Sequence, residues 1–136
     1  MEIASQAPST RGPSASFSGV VHAETIWVGN EPFRLNANMV RFTPGSRTAW
    51  HSHANGQLLY VTEGVGYVQS HGDEIKLIRQ GDSVWTPPGE WHWHGATAES
   101  CMSHVALREH SNPAGEVQEV TWGHHVSEEE IAKSLG

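Results

Sequence analysis

The chain is poor in cysteine, in positive charge and in long apolar runs, and each shortage excludes a class of protein. Its single cysteine, Cys101, cannot form an internal disulfide, so we expect a reducing compartment, the cytoplasm, and a buried, inert thiol. Eight Lys and Arg against fifteen Asp and Glu give a formal net charge of −7. No apolar run approaches the ~20 residues that cross a bilayer, and the N-terminus does not resemble a secretory signal. We therefore expect neither a nucleic-acid nor a membrane partner.

The length and the residue pattern predict one all-β domain with a short segment at each end. A chain of 136 residues, 37% hydrophobic, suffices for one core and not for two. Residues 1–16 are rich in Ser, Ala, Pro and Gly, and we expect an N-terminal arm that is loose or laid over a neighbouring subunit. Residues 17–122 would form a barrel and residues 123–136 a C-terminal helical tail.

Short runs rich in Val, Ile, Trp, Tyr and Thr, separated by turn residues, carry the all-β prediction. The predicted strands are Ser18–Val28, Phe33–Thr43, Ala49–His53, Gln57–Thr62, Gly66–Ser70, Glu74–Arg79, Ser83–Thr86, Met102–Arg108 and Val117–Val120. In the tail, Ser127 can cap a helix and Glu130 can complete a capping box, with Ile131 and Leu135 as the apolar stripe.

Ten histidines, more than Lys and Arg together, are the unusual feature of the composition. Because side chains two apart on a strand share a face, His51 and His53 can reach one ion. Gln57 could add an amide oxygen, and His92 follows the tight turn at Pro87-Pro88-Gly89. An isolated pair of this kind is more often hydrogen-bonded or exposed. Three imidazoles and an amide oxygen suit manganese, iron, cobalt, nickel or zinc.

The spacing around these histidines favours the metal site over the isolated pair. A first series consists of Gly45, five residues, His51-x-His53, three residues, Gln57, six residues and Gly64. After sixteen residues comes a second, with Gly81, five residues, Pro87-x-Gly89, two residues and His92. The two series resemble the paired signatures of the cupin family, with Gln57 at the usual acidic position and Ala96 where the family often has Asn.

The resemblance implies a cupin double-stranded β-helix, a jelly-roll barrel, whose inner face holds one divalent first-row metal ion per chain. We expect manganese ahead of iron, cobalt, nickel or zinc. The signature glycines Gly45, Gly64, Gly81 and Gly89 would lie at turns, where a positive φ or a close strand crossing disfavours other residues. With Gln57 in place of an acid, the ligand set carries no negative charge, which makes the ion a stronger Lewis acid. Gln57 could also stand beside the ion without binding it.

Strand parity adds candidates for the rest of the cavity. His104 and Arg108 share one face of their strand, as Asn38 and Val40 share one face of theirs, and His94 lies two residues beyond His92. If these faces point inward, His104 could act as general base, with His94 as a donor or proton shuttle. His104 could equally be a satisfied core histidine and His94 a support for the ligands. Arg108 could bind a substrate carboxylate, with Asn38 and Val40 beside it, or could end its strand in solvent.

The other histidines and the tryptophans receive no site role. We expect His22, His71, His110, His124 and His125 at the surface. Trp50, Trp91 and Trp93 alternate with the ligands, so they should point away from the metal, into the core or a subunit interface.

Within the cupins, the chain resembles the small bacterial manganese-dependent (R)-hydroxynitrile lyases and the carboxymuconolactone-decarboxylase-like cupins. The similarity lies in the segments Arg47–His53, Gly56–Gln57, Val61–Thr62, Gly89–Gly95, Met102–Ala106 and in Trp122 with His125–Ser127. It implies a metal-dependent lyase that cleaves or forms cyanohydrins, with His104 exchanging the proton and His94 assisting.

Two other functions stay open at this point. One is a metal-dependent lyase, isomerase or dioxygenase acting on a small hydroxy or keto acid, with Arg108 holding the carboxylate. The other is a non-enzymatic cupin that binds a small ligand. In every case we expect a small-molecule partner, and the arm and tryptophans favour a homodimer or homotetramer.

Overall fold

The protein is seen in a computed structural model that describes residues 1–110 and 119–136. These residues form twelve strands and one helix. The strands are β1 (Thr10–Arg11), β2 (Phe17–Ser18), β3 (Val21–Asn30), β4 (Phe33–Phe42), β5 (Arg47–Thr48), β6 (His51–His53), β7 (Gln57–Ser70), β8 (Lys76–Arg79), β9 (Ser83–Thr86), β10 (His92–Ala96), β11 (Met102–Glu109) and β12 (Val120–Trp122), and the helix is α1 (Glu128–Leu135).

All the strand pairs are antiparallel, and the strands form one curled sheet organised by the long strand β7. The first half of β7 pairs with β11 and β9, and β11 continues through β4 and β3 to β1. The second half of β7 pairs with β10 and β8, and β10 continues to β5 and β6. The fold class expected from the sequence, all-β with a short C-terminal helix, is confirmed.

Gly64 marks the point at which β7 passes from one half of the sheet to the other. Its φ of +79° lies in the left-handed region, where residues with a Cβ are disfavoured. A Cβ here would also collide with the backbone carbonyl of Cys101. The signature glycine is therefore required twice, by its backbone conformation and by the closeness of the neighbouring chain.

The core consists of two clusters on different sides of the sheet. The barrel cluster joins Val21, Phe42, Val61, Ile78, Ala96 and Met102, which come from both halves. The second cluster contains Trp50, Trp93 and Val126, with Trp91 and Ile131 packed against it. Trp50, Trp91 and Trp93 therefore belong to the core, as one of the two sequence-based interpretations expected, and α1 covers them through Ile131.

Helix α1 begins as the sequence indicates but packs through fewer residues. The Ser127 side chain accepts a hydrogen bond from the Glu130 amide at 3.0 Å, as an N-cap does. The Glu130 carboxylate contacts His124 and the Trp50 indole. Leu135, expected in the apolar stripe, is 53% exposed. Among the described residues no helix has the length and hydropathy of a membrane span.

Several predicted boundaries differ from the structure. The predicted strands Gln57–Thr62 and Gly66–Ser70 belong to the single strand β7. The predicted Ala49–His53 is shortened to β6, His51–His53, and the preceding strand β5, Arg47–Thr48, was not predicted. Strand β10 was not predicted. Residues 117 and 118 of the predicted Val117–Val120 lie outside the described residues, and β12 continues to Trp122.

The N-terminal segment and Cys101 also differ from expectation. Thr10–Arg11 of the predicted arm pairs with β3 of the same chain, and Gln6 donates a hydrogen bond to Glu24. The prediction of a buried thiol was wrong, because Cys101 is exposed in the turn that precedes β11.

Candidate metal centre

Three imidazoles converge from two neighbouring strands. His51 and His53 alternate on β6, and His92 opens β10 directly opposite His51 in the antiparallel register. One ring nitrogen from each histidine lies within 4.8 Å of the others. The His51 and His92 ring centroids are 4.3 Å apart, and those of His51 and His53 are 5.0 Å apart. The sequence therefore identified a cluster that the fold brings together.

Backbone carbonyls orient two of these rings. His51 Nδ1 lies 2.9 Å from the Ala49 carbonyl oxygen, and His92 Nδ1 lies 2.9 Å from that of Glu90. Because a carbonyl only accepts, each Nδ1 carries the hydrogen and each Nε2 keeps its lone pair. This is the arrangement that fixes the ring of a metal-binding histidine.

The remaining polar atoms of the cluster fit a metal ion. His53 Nδ1 and Nε2, His92 Nε2 and Gln57 Oε1 are buried with no hydrogen-bond partner among the described residues. Buried polar atoms without partners are rare and costly in a folded protein. Three imidazole nitrogens and an amide oxygen form a ligand set that suits a divalent first-row ion. His51, His53, Gln57 and His92 are thus the residues that could hold the metal.

The cluster is electrically neutral near pH 7. Burial lowers the pKa of His51, His53 and His92 below the ordinary value of 6.5, to about 4 for His53. Repulsion from His92 lowers the pKa of His51 and His53 further, and the guanidinium of Arg108 acts on His53 in the same direction. Neutral imidazoles are the form that binds metals.

The histidine cluster borders a cavity of about 380 Å³ inside the barrel. Every further residue proposed from strand parity lines this cavity, namely Asn38, Val40, His94, His104 and Arg108. Arg108 therefore faces the cavity rather than solvent alone. A volume of this size accepts a small organic molecule.

His94 and His104 form a hydrogen-bonded pair beside the cluster. His104 Nε2 and His94 Nδ1 are 3.2 Å apart, and both side chains are buried. The outer atoms, His104 Nδ1 and His94 Nε2, have no partner in the described part of the chain. Burial lowers the pKa of His104 to about 4 and that of His94 well below its ordinary value, and repulsion from His104 adds to the effect on His94. The pair is uncharged near pH 7.

The sequence did not predict the two aromatic residues that line the cavity, Phe17 and Trp122. Trp122 lies opposite His51 in the β12–β6 register, and its ring stacks on the His51 imidazole with centroids 4.7 Å apart. Phe17 contacts Trp122 at 5.9 Å and lines the same cavity. The alternation of Val120 and Trp122 was a usable signal, but only the pairing of β12 with β6 shows that they face the ligands.

The five histidines expected at the surface divide into two groups. His71, His124 and His125 are exposed, whereas His22 and His110 are half-buried. His110 contacts the Gly29 carbonyl oxygen through Nε2 at 2.6 Å.

The curled antiparallel sheet with an inward-facing cluster of three histidines defines a barrel protein whose interior holds a group of residues that could bind a metal ion. Residues 38–105 match the family model described as a cupin domain, and the chain belongs to the cupin family.

Two relatives match almost the whole chain. The (R)-mandelonitrile lyase of Granulicella tundricola is 40% identical over 131 residues, which is 96% of each chain. The crystal structure of a cupin-like protein from Thermotoga maritima superposes with a TM-score of 0.83 at 33% identity, over 98% of this chain and 97% of that one. A cupin 2 conserved barrel domain protein from Rhodopseudomonas palustris, at 17% identity and a TM-score of 0.68 over 95% and 81% of the two chains, shares the fold.

Proposed function

We propose that this chain is a metal-dependent lyase that cleaves cyanohydrins to an aldehyde and hydrogen cyanide and catalyses the reverse addition. The observation that carries the proposal is the cluster of three imidazoles, two of them oriented by backbone carbonyls, which borders the same cavity as the His94–His104 pair. The (R)-mandelonitrile lyase that is 40% identical to this chain supports the same reaction class.

His51, His53, Gln57 and His92 would hold the ion, for which we propose manganese. When bound, a divalent ion supplies Lewis-acid stabilisation for the negative charge that develops on oxygen or cyanide as the bond breaks. These four side chains contribute no negative charge, since Gln57 replaces the acidic ligand and burial keeps the imidazoles neutral. An ion held by these residues would therefore have no negatively charged protein ligand to offset its positive charge.

The His94–His104 pair would manage the proton. In a neutral pair joined by one shared hydrogen, one outer nitrogen carries a hydrogen and the other carries a lone pair. His104, as general base, takes the cyanohydrin hydroxyl proton. The carbon–carbon bond breaks with its electron pair on cyanide, and the pair of histidines returns one proton to cyanide. Atoms and charge balance, because one proton leaves the hydroxyl and one proton joins cyanide.

The test is anaerobic cleavage of mandelonitrile by the manganese-loaded protein, compared with His104→Ala and with His71→Ala as a control at an exposed histidine. We expect a turnover number about 10²- to 10³-fold lower in His104→Ala with metal content unchanged, and a normal rate in His71→Ala. Metal-loaded wild type without cleavage, or a His104→Ala variant as fast as wild type, would contradict the proposal.

A second candidate function is a metal-dependent lyase, isomerase or dioxygenase acting on a small hydroxy or keto acid. The position of Arg108 and Asn38 in the cavity lining favours it. Oxygen consumption with an acid substrate would identify a dioxygenase, whereas cyanohydrin cleavage needs no oxygen. Binding without turnover under both conditions would leave a ligand-binding cupin.

We also propose that the chain acts in the cytoplasm as a homodimer or homotetramer. Trp27, Phe33 and Trp85 are 38%, 71% and 58% exposed, and large apolar side chains at a surface favour association. Trp27 and Trp85 are not the tryptophans that the sequence suggested for a subunit interface, since Trp50, Trp91 and Trp93 pack in the core. A molar mass of one chain by light scattering would contradict this assembly.

A further inference from the structure

One part of the cavity carries a positive charge that cyanohydrin cleavage does not use. Arg108 and Asn38 line it together with the histidines, and no aspartate or glutamate is among the described residues that line it. The ligands of the metal site are neutral as well. A neutral substrate would leave the guanidinium uncompensated in a partly enclosed space, which is unfavourable.

Arg108 is half-buried, yet no acidic residue in the described part of the chain pairs with it, in contrast to Arg41 and Arg34. Arg41 pairs with Glu24 at 3.0 Å, and Arg34 contacts Glu31 at 3.3 Å and Glu109 at 3.4 Å. Within residues 1–110 and 119–136, the side chain of Arg108 makes no ion pair or hydrogen bond with the protein. Its side chain is half-buried, so its five donors are only partly satisfied by water.

The surroundings of Arg108 have unused hydrogen-bonding groups too. Asn36 lies opposite Arg108 in the β4–β11 register, and Asn38 lies opposite Ala106. The Asn36 Oδ1 atom is buried without a partner among the described residues. Ala106, between His104 and Arg108 on the same face of β11, is small and leaves room in front of both. The donors that can receive an anionic group at this end of the cavity are those of Arg108 and of the Asn38 amide, whereas Asn36 Oδ1 can only accept a hydrogen bond.

We propose that the cavity selects a small hydroxy- or oxo-carboxylate, with the carboxylate held by Arg108 and Asn38 and the adjacent oxygen turned toward the histidine cluster. The planar guanidinium matches a carboxylate with two parallel hydrogen bonds. The inference rests on the proposed function in using the same cavity and metal ligands. It specifies the acid substrate of the second candidate function in place of a neutral cyanohydrin, and it does not depend on which bond is cleaved.

Calorimetric titration of the manganese-loaded protein with glycolate and with its neutral isostere glycolamide tests the proposal. We expect glycolate to bind at least about tenfold more tightly than glycolamide, and Arg108→Gln to weaken glycolate binding at least about tenfold. Arg108→Lys should retain part of the affinity. Arg41→Gln, which removes the same charge from the outer, ion-paired arginine, should bind glycolate like wild type. Metal content and thermal unfolding show that each variant is folded and loaded.

The possible outcomes are distinct. Glycolate affinity that is equal in wild type and Arg108→Gln would show that the metal alone binds the carboxylate, and would overturn the proposal. Equal losses in Arg108→Gln and Arg41→Gln would show a general charge effect and overturn it as well, as would no binding to wild type. Failure of mandelonitrile cleavage contradicts the lyase function but leaves this binding experiment unaffected.

Discussion

At the scale of single residues, the candidate metal centre depends on how each potential ligand atom is positioned. Carbonyls of Ala49 and Glu90 fix His51 and His92 so that each directs Nε2 away from the backbone. Gln57 offers an uncharged oxygen at the position where the cupin signature usually has an acid, and this Oε1 is buried without a hydrogen-bond partner among the described residues. The orientation of the histidine rings is thus typical of a metal site, whereas a ligand set without a carboxylate differs from the usual cupin signature.

Gln57→Glu tests whether the absence of a negatively charged ligand matters for the reaction. The added carboxylate should hold the metal more tightly against a chelator and, by offsetting part of the positive charge, lower the rate of mandelonitrile cleavage about tenfold. Gln80→Glu makes the same change in an exposed turn and should alter neither property. Tighter metal binding with an unchanged or faster rate would show that ligand charge does not control the reaction.

At the scale of secondary-structure elements, strand parity and the two signatures predicted most of the site. Parity placed His51 with His53 and His104 with Arg108, because these pairs lie within one strand. The role of Trp122 could not be predicted, since its neighbour His51 is distant in sequence and is reached only through the β12–β6 pairing. The alternation of residues predicts which side chains of one strand share a face, but it does not predict which strands become neighbours in the sheet.

Strand β10 and the continuity of β7 were missed for related reasons. All five residues of His92–Ala96 are buried, so the strand lacks the alternation of apolar and polar residues that identifies a half-buried strand. Gly64 and Gly66 indicated a break in β7, but β11, β10 and β8 pair with the backbone on either side of them. Tertiary pairing outweighs the low strand propensity of glycine.

Gly64→Ala tests the crossing point of β7. Gly64 and Gly72 have similar φ values, +79° and +87°, but a Cβ at Gly72 has nothing within 4 Å. Gly72→Ala should therefore lower the free energy of unfolding by about 1 kcal/mol, the cost of the left-handed conformation. Gly64→Ala should cost at least about 2 kcal/mol more, because the methyl group meets the Cys101 carbonyl. Equal decreases in the free energy of unfolding of the two variants, measured with denaturant, would show that the contact with the Cys101 carbonyl is unimportant.

At the scale of the whole molecule, the fold concentrates neutral histidines inside an acidic protein. The chain has a formal net charge of −7, yet the cavity lining contains histidines and Arg108 and, among the described residues, no acid. Burial of these imidazoles links metal binding, folding and pH, since metal ligation and burial both require the unprotonated form.

The metal-free protein should lose stability as the pH falls from about 6.5 toward 4. The folded-state pKa of His53 and His104 is about 4, below the ordinary 6.5, so in this window the unfolded chain binds protons that the folded chain does not. Each such histidine lowers the free energy of unfolding by up to about 1.4 kcal/mol per pH unit. Denaturant midpoints measured between pH 7 and pH 4.5 should show this decline.

His104→Gln removes one of these titrating groups and should reduce the slope of stability against pH. His71→Gln changes an exposed histidine and should leave the slope as in wild type. A midpoint that is constant across the window would contradict the burial of neutral histidines as the source of the pH dependence.

The most direct test of the account is the metal content of the purified protein, measured after stripping and reloading with manganese, for wild type and for His53→Ala. His53 is chosen because both of its ring nitrogens are buried without a hydrogen-bond partner in the described part of the chain. The account predicts one ion per wild-type chain and a large loss of binding in His53→Ala with the fold intact by circular dichroism. No metal in wild type after reloading with manganese, iron or zinc, or full occupancy in His53→Ala, would contradict the assignment of His51, His53, Gln57 and His92 as a metal site.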